Sequence, residues 1–238
     1  MRHAVLSDIH ANLEALETVA ASLKTRGVDR TVVLGDTVGY GANPNECLGW
    51  ALENADVVLM GNHEKAVVDP SLRAWFNDFA RTAIEWTADV LDEKWTEEIP
   101  GLVYTRVEKN LSLAHGSLHA PEAFHYLTRY VDAVPSFREM ETPVCFVGHT
   151  HVPGCFCEMA RSAERLEPGM TEIAAGTKYI LNPGSVGQPR DGDPRTAFGI
   201  YDDEKRTFEL VRLDYDNEKA AQKIRKAGLP AYLADRLL

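Results

Sequence analysis

The sequence is short of three things: cysteine, long apolar runs and basic side chains. Four of its 238 residues are cysteine, at irregular spacing, so neither a disulfide framework nor a structural zinc knuckle is expected. No stretch approaches the roughly 20 apolar residues of a membrane-spanning helix. The apolar run Ala4-Val5-Leu6 near the N terminus is too short for a secretion signal. We therefore expect a soluble, cytoplasmic protein with reduced thiols and no membrane partner.

The charge balance is acidic. The chain carries 25 Lys and Arg against 36 Asp and Glu, a net charge of −11. Duplex nucleic acid and anionic lipid attract basic surfaces, so neither is an expected partner. A small phosphorylated substrate remains compatible with this charge, because a bound cation can reverse the local field. The oligomeric state is left open by the sequence.

The first sixty residues alternate short β-rich runs with helical periodicity. The pattern predicts strands at 3–7, 31–34 and 57–60, with helices at 13–24 and 44–52 between them. This order favours a largely parallel sheet with right-handed crossovers.

Between residues 64 and 100 the pattern changes, because aromatic residues recur at helical spacing and no strand is evident. Two helices are predicted there. Core packing explains the aromatic stripe most simply, and a cap over one end of the sheet is the sharper hypothesis. Six more strands are predicted, the last of them joined by short turns as in an antiparallel sheet: 102–107, 111–114, 144–147, 179–181, 197–201 and 208–213. A polar loop is predicted over 161–171, and one or two helices over 217–238.

Side chains that can bind metals occur at one kind of position, directly after an apolar strand. Five predicted strands end in such residues, which are Asp8 and His10, Asp36, Asn62 and His63, His115, and His149 and His151. Loops at the carboxyl ends of parallel strands converge on one crevice, so these side chains are expected to meet. A single Asp or His after a strand is usually a turn residue, but five such coincidences are hard to attribute to turns alone.

The residue types indicate the chemistry. Oxygen and imidazole ligands without a thiolate favour manganese, iron, cobalt, nickel or zinc over copper(I) or an iron–sulfur cluster. Two divalent ions about 3.5–4 Å apart need a carboxylate between them, and Asp36, on the middle one of the three early strands, is the natural bridge. Asn62 adds a ligand without negative charge, which keeps the site attractive to phosphate. Such a site lowers the pKa of bound water and generates hydroxide at neutral pH.

The same residues resemble the five motifs of the calcineurin-like metallophosphoesterase superfamily, in the family's order. The matching segments are Asp8-x-His10, Gly35-Asp36, Gly61-Asn62-His63-Glu64, His115-Gly116 and Gly148-His149-Thr150-His151. Segments within 35–41, 76–87 and 182–190 further resemble a prokaryotic subgroup with predicted phosphodiesterase or phosphatase activity. The resemblance extends to about Tyr201 and shows no departure from the family pattern at a ligand position.

The resemblance implies an α/β (α+β) fold, a four-layer αββα sandwich of two mixed β-sheets flanked by helices. The residues alone indicate only a βαβ half followed by an antiparallel half, so the second sheet rests on the resemblance. We expect a single domain over 1–238, with residues 64–100 inserted as a small helical cap.

The resemblance also implies two divalent metal ions, with Mn²⁺ as the first expectation and Fe, Zn²⁺, Ni²⁺ or Co²⁺ as alternatives. One ion would be held by Asp8, His10, Asp36 and His151, and the other by Asp36, Asn62, His115 and His149. His63 would not bind metal. It would face the substrate and protonate the leaving oxygen or stabilise the transition state.

Three residues outside the motifs are candidates for contacting the substrate. Arg190 and Arg195 lie in a Gly- and Pro-rich stretch, where a guanidinium can clamp phosphate, although solvated loop arginines are common in such stretches. Asn12, two residues past His10, either points into the cleft or caps the following helix.

These observations favour a dinuclear-metal-dependent phosphoesterase that hydrolyses a small phosphodiester or phosphomonoester, nucleotides and dinucleotides included, by attack of a metal-bridging hydroxide. A cap that narrows the cleft favours a small substrate, although a protein serine/threonine phosphatase stays open. A second hypothesis, from another class, is a binding or scaffold protein with a silent site on the same fold. The presence of His63 and of all seven ligands disfavours it. A nuclease is disfavoured because no basic groove is evident.

Overall fold

The computed structural model describes residues 1–238, which form twelve β-strands and eight α-helices. The strands are β1 (Arg2–Leu6), β2 (Arg30–Val33), β3 (Val57–Val58), β4 (Thr105–Val107), β5 (Leu111–Ala114), β6 (Val144–Phe146), β7 (Gly154–Cys157), β8 (Ser162–Arg165), β9 (Gly169–Glu172), β10 (Tyr179–Asn182), β11 (Thr196–Asp202) and β12 (Thr207–Leu213). The helices are α1 (Leu13–Leu23), α2 (Pro44–Asn54), α3 (Asn62–Val68), α4 (Asp78–Val90), α5 (Glu93–Glu98), α6 (Tyr130–Glu139), α7 (Asn217–Lys226) and α8 (Ala231–Asp235). None of these helices combines the length and the apolarity that crossing a membrane requires.

The strands form two mixed six-stranded sheets. In the first sheet the order is β3-β2-β1-β11-β12-β9, where β1, β2 and β3 are parallel and the remaining pairs are antiparallel. In the second sheet the order is β4-β5-β6-β10-β7-β8, with β5, β6 and β10 parallel. The parallel start and the antiparallel end that the sequence predicts are confirmed, and so is the second sheet.

Side chains alternate across the central strands and create the layers. Val5 of β1 joins a buried cluster with Phe146 of β6 between the two sheets. Leu6 points the other way and packs in a cluster with Leu16 of α1. On the far side of the second sheet, Phe137 of α6 is buried in a cluster with residues of β6 and β10. The period-2 alternation of each strand therefore yields the four helix–sheet–sheet–helix layers that the family resemblance implies.

The predicted polar loop over 161–171 is wrong, because this segment contains most of the strands β8 and β9. Both lie at sheet edges and most of their residues are exposed. Their positions are set by backbone pairing with β7 and β12 rather than by apolar alternation, so the sequence pattern carries no signal for them. The pattern also does not predict α6, which contains Pro135 in its interior.

The segment predicted to hold two helices contains three, α3 to α5, with a 3₁₀ turn over Pro70–Trp75 between α3 and α4. It packs on α2 through a buried cluster that includes Leu48, Ile84 and Ile99. Part of the aromatic stripe therefore serves packing, in which Trp95 takes part. Trp75, in contrast, is 86% exposed.

Candidate metal centre

Backbone hydrogen bonds between loops draw the strand ends of both sheets together. The N–H of Asp8 donates to the carbonyl of Gly35 (3.1 Å), and the N–H of Gly148 donates to the carbonyl of His115 (2.7 Å). The two sheets are joined where the N–H of His149 donates to Asp8 Oδ2 (3.0 Å). The loops after β1, β2, β5 and β6 therefore meet at one edge of the sandwich.

The first cluster of metal-competent side chains consists of Asp8, His10, Asp36 and His151, all buried, with ligand atoms within 4.8 Å of one another. The Nε2 atoms of His10 and His151 are 3.0 Å apart. The Nδ1 atom of each ring lies beside a carbonyl oxygen, that of Val38 (3.0 Å) and that of Gln188 (2.6 Å). A carbonyl only accepts, so both Nδ1 atoms donate, and when both rings are neutral their Nε2 atoms present lone pairs to each other. Two such lone pairs repel unless a cation binds both, which is the arrangement expected of metal ligands.

The second cluster consists of Asp36, His115 and His149, and Asn62 lies against it. His115 Nε2 is 3.2 Å from His149 Nδ1 and 3.2 Å from Asn62 Oδ1. His115 Nδ1 donates to the carbonyl of Leu34 (3.0 Å), which leaves Nε2 as the ring atom that faces the cluster. This cluster likewise gathers nitrogen and oxygen ligand atoms at one point, which fits a second cation.

Asp36 belongs to both clusters through a single oxygen. Its Oδ2 is 3.7 Å from His10 Nε2 and 3.3 Å from His115 Nε2. Its other oxygen, Oδ1, accepts a hydrogen bond from the N–H of His63 (2.9 Å), which fixes the carboxylate in this orientation. A single carboxylate oxygen therefore faces both clusters of metal-competent side chains.

Asp8 supplies a further sign that a cation fits here. Its Oδ2 accepts from the hydroxyl of Ser7 (2.6 Å) and from the N–H of His149, whereas Oδ1 is buried without any hydrogen-bond donor. Oδ1 lies 3.3 Å from His151 Nε2, inside the first cluster. An unpartnered, buried carboxylate oxygen is unfavourable, and a metal ion would satisfy it.

The backbone is strained where it presents these side chains. Five of the residues have left-handed φ angles between 48° and 66°, namely Asp8, His10, Asp36, His149 and His151. Each such residue costs on the order of 1–2 kcal/mol in an L-amino acid. The left-handed turn directly after a strand points the side chain toward the crevice. Strain of this kind clusters at functional sites, where the surrounding structure holds it in place.

A protein-family model, that of the calcineurin-like phosphoesterase superfamily domain, matches residues 1–205 of the chain. The chain belongs to this superfamily. The resemblance carried by the five motifs is thereby confirmed, and membership of this metal-dependent family indicates a phosphoesterase hydrolase.

Relatives of this calcineurin-like protein span its full length. An uncharacterised protein of Methanocaldococcus jannaschii is 38% identical over 239 residues, 98% of this chain and 96% of that protein. The crystal structure of a metallophosphoesterase from Sphaerobacter thermophilus shares 34% identity, with a TM-score of 0.90, and the match covers 100% of this chain and 98% of that one. A hypothetical protein from Pyrococcus horikoshii, 19% identical, shares the fold with a TM-score of 0.80 over 99% of this chain and 97% of its own.

Burial governs the protonation of the imidazoles of this calcineurin-like site. It lowers the pKa of His10 well below its usual value, that of His149 to about 3 and that of His63 to about 4, so these rings are neutral at pH 7. Burial opposes a charge on Asp36, but the charge of His115, whose Nε2 lies 3.3 Å away, acts most strongly against that effect, and the pKa of Asp36 stays well below its usual value. Conversely, the charge on Asp36 outweighs the burial of His115 and raises its pKa to about 9. A metal bound at His115 would therefore displace a proton.

His63 lies beside the clusters rather than within them. Its ring is buried and makes edge contacts with His10, Tyr40 and Phe76, at centroid distances of 4.7, 4.5 and 5.2 Å. Its Nδ1 has no hydrogen-bond partner. Gly39 (φ +84°) is required next to it, because a Cβ there would lie 2.1 Å from His63 Nδ1. The structure thus holds a neutral imidazole at the border of the metal centre.

Glu64 organises the centre in a way that the motif alone does not reveal. Its buried carboxylate accepts four backbone hydrogen bonds of 2.5 to 3.1 Å, from Asp36, Thr37, Val38 and Gly61. Burial and then the charge on Asp36 raise its pKa to about 7, and the donors oppose that rise. Glu64 therefore clamps the loop of Asp36 to the start of α3. The only signal in the sequence is its place directly after Asn62-His63.

Glu64→Ala is expected to lower the free energy of unfolding by about 4 kcal/mol or more, because it leaves four buried N–H groups without an acceptor. Urea unfolding at pH 8 in EDTA measures this without any contribution from metal binding. Glu85→Ala, on the exposed face of α4, is the matched control and should change stability by less than about 0.5 kcal/mol. Equal unfolding free energies for the two variants would contradict the clamp.

The structure separates the three candidates for contacting the substrate. Arg190 lines a cleft that opens from the metal centre, and its guanidinium lies 5.6 Å from the centre of the Tyr40 ring. Arg195 is not brought to that cleft, because its guanidinium pairs with Asp193 on the same loop (2.7 Å). Asn12 does not line it either. Its side chain caps α1, as the alternative prediction had it, and donates to the carbonyl of Gly187 (2.8 Å).

Proposed function

We propose that the protein uses two divalent cations to hydrolyse a small phosphodiester or phosphomonoester. The observation that supports this most directly is the single Asp36 oxygen shared by two buried clusters of electron-pair donors. In this proposal one ion is held by Asp8, His10, Asp36 and His151, and the other by Asp36, Asn62, His115 and His149. Mn²⁺ is the first choice among the metals that this donor set accepts.

When bound, such a pair of ions neutralises charge on the phosphoryl oxygens and lowers the pKa of a water molecule to near neutrality. The residues of the protein orient the ligands and contact the leaving group. The carbonyls of Val38, Gln188 and Leu34 keep three of the ligating imidazoles, those of His10, His151 and His115, in the tautomer with Nδ1 protonated. Neutral His63 keeps one ring proton, with which it donates a hydrogen bond to the leaving oxygen as that oxygen gains negative charge.

The substrate that fits this site is small. The cleft next to the metal centre has a volume of about 640 Å³, within the range of small-molecule sites. Residues of the helical segment, Phe76 and Phe79 among them, form one side of it, so the reacting phosphate is reached through an enclosed cleft rather than over a flat surface. Arg190 lies along the same cleft, where it can pair with a phosphate oxygen.

The proposal is tested by reconstitution. Protein stripped with EDTA should not hydrolyse bis-p-nitrophenyl phosphate or p-nitrophenyl phosphate, and added Mn²⁺ should restore turnover of at least one of them. Purified Asp36→Asn protein serves as the control for a contaminating phosphatase. Absence of turnover with Mn²⁺, Co²⁺, Ni²⁺ and Zn²⁺ on a panel of phosphoesters would instead support a silent binding protein on this fold.

A further inference from the structure

The exposed aromatic side chains of the protein are confined to one place. Trp75, Phe79, Tyr126 and Tyr232 are the four aromatic residues with large exposure, between 46% and 86%, and all four line the cleft beside the metal centre. Exposed aromatic surface is unfavourable in water unless it is used for binding. Its restriction to the cleft therefore points to a ligand rather than to general surface variation.

These rings come from three distant parts of the chain. Trp75 and Phe79 belong to the helical segment, and Tyr232 lies on α8, near the C terminus. Phe79 and Tyr232 are stacked, with centroids 4.9 Å apart and planes at 26°. Rings from α8 and from the helical segment, residues 64–100, therefore form a wall of the outer part of the cleft.

A fourth ring connects this wall to the metal centre. Tyr126 stacks on His149, with centroids 3.8 Å apart and planes at 23°, yet 54% of it is exposed. On the other side, Phe76 lies edge-on to His63 and also lines the cleft. A flat group attached to a phosphate bound at the metal centre would therefore lie next to aromatic side chains.

Positive charge accompanies these rings although the chain as a whole has a net charge of −11. Arg190 and Arg236 both line the cleft, one toward Tyr40 and the other over Tyr232, with 5.6 and 5.5 Å between guanidinium carbon and ring centre. Arg236 also donates to the hydroxyl of Tyr232 (2.7 Å). Guanidinium groups beside aromatic rings suit an anionic substrate with a flat ring, because they pair with phosphate and stack on π surfaces.

We propose that the cleft binds the nucleobase of a nucleotide substrate, with Trp75, Phe79 and Tyr232 forming the base-binding wall. The inference rests on the proposed phosphoesterase function and specifies its substrate class. A nucleobase presents the flat, polarisable face that stacks on such rings regardless of its identity. A protein partner would call for a broad exposed patch, whereas these rings line a concave cleft that opens directly from the metal centre.

The first test uses two substrates that share their reacting bond and differ only in the base. With Mn²⁺-loaded protein, kcat/KM should be about tenfold or more higher for adenosine 5′-monophosphate than for ribose 5-phosphate. The methyl esters of the same two compounds provide the matched pair for diesterase activity. Equal kcat/KM within each pair would overturn the base-binding wall while the phosphoesterase function stands. If bis-p-nitrophenyl phosphate is hydrolysed but neither pair is, the wall is likewise overturned.

The second test measures binding without turnover. Trp75 is the most exposed of the large hydrophobic side chains, so adenosine should quench the protein's fluorescence in EDTA, and ribose should not. Quenching should persist with no activity if only the phosphoesterase proposal fails. Absence of quenching by adenosine would count against the wall.

Substitutions of Trp75 test whether the base binds at this wall. Trp75→Ala should abolish adenosine-dependent quenching and raise KM for the nucleotide about tenfold, with KM for ribose 5-phosphate unchanged. Trp75→Phe should keep most of the nucleotide affinity because it keeps a ring. Met159→Ala, another exposed apolar residue but outside the cleft, is the control and should change neither quantity. An equal rise in KM for both substrates in Trp75→Ala would indicate a general disturbance of the cleft and contradict base recognition.

Discussion

Asp36→Asn should lose both metal ions and at least about 10³-fold in phosphoesterase rate, the largest effect expected of any single change in this protein. The substitution replaces the carboxylate whose Oδ2 lies in both clusters with a neutral amide. Each of the two proposed metal sites then loses a charged ligand, and a water molecule bound there would no longer be activated. Elemental analysis after reconstitution with Mn²⁺ gives the ion content, and phosphate release gives the rate.

Asp89→Asn, on the exposed face of α4, removes the same charge away from the site and should retain two ions per chain and full activity. The outcome that contradicts the bridging role is an Asp36→Asn protein that still carries two ions per chain. Loss of activity with full metal content would mean that Asp36 acts on the substrate and not as a shared ligand.

His63→Ala should keep the metal content and lose about 10²–10³-fold in kcat on an alkyl phosphoester, whose leaving oxygen gains a localised negative charge that the His63 ring N–H stabilises. The loss should be much smaller on bis-p-nitrophenyl phosphate, because p-nitrophenolate leaves without protonation. The structure supports this division of roles: the backbone N–H of His63 positions Asp36, which the substitution leaves intact, whereas its side chain touches no ligand atom within hydrogen-bond distance.

The pair of substrates distinguishes chemistry from disturbance of the fold. His119→Ala removes an exposed imidazole that pairs with Glu139 and serves as the matched control, with unchanged kcat on both esters. Equal kcat for His63→Ala and the parent protein on the alkyl ester would remove His63 from the mechanism. An equal loss on both esters would assign His63 to positioning the phosphate instead of assisting the leaving group.

Much of the site can be predicted from the sequence alone. Asp8, Asp36 and His115 directly follow apolar strands, and the rule that such strand ends converge is enough to predict that they meet. Prediction was weaker for groups whose position depends on a loop path. Arg190 and Arg195 were equivalent candidates in the sequence, yet only Arg190 lines the cleft, because Asp193 holds Arg195.

The edge strands illustrate the same limit at the level of the fold. β8 and β9 are largely exposed, so no local periodicity marks them. They are held by pairing with β7, which directly precedes β8 in the chain, and with the more distant β12. Buried central strands such as β5 and β11 carry nearly continuous apolar runs and were predicted almost to the residue. The more deeply a strand is buried, the more clearly its local sequence pattern predicts it.

The amino-acid sequence by itself determined the kind of ligand at each strand end, the order of the βαβ half and the membership in a metal-dependent family, since all of these are local or collinear properties. Only the tertiary structure decided that one oxygen of Asp36 lies in both clusters, that His149 presents Nδ1 where His115 presents Nε2, and that Tyr232 on α8 faces Phe79 across the cleft. These relations depend on strained φ angles and on packing between segments that are not neighbours in the sequence. Such contacts leave no periodic trace in the chain, because the physical forces that set them act between layers and not along the sequence.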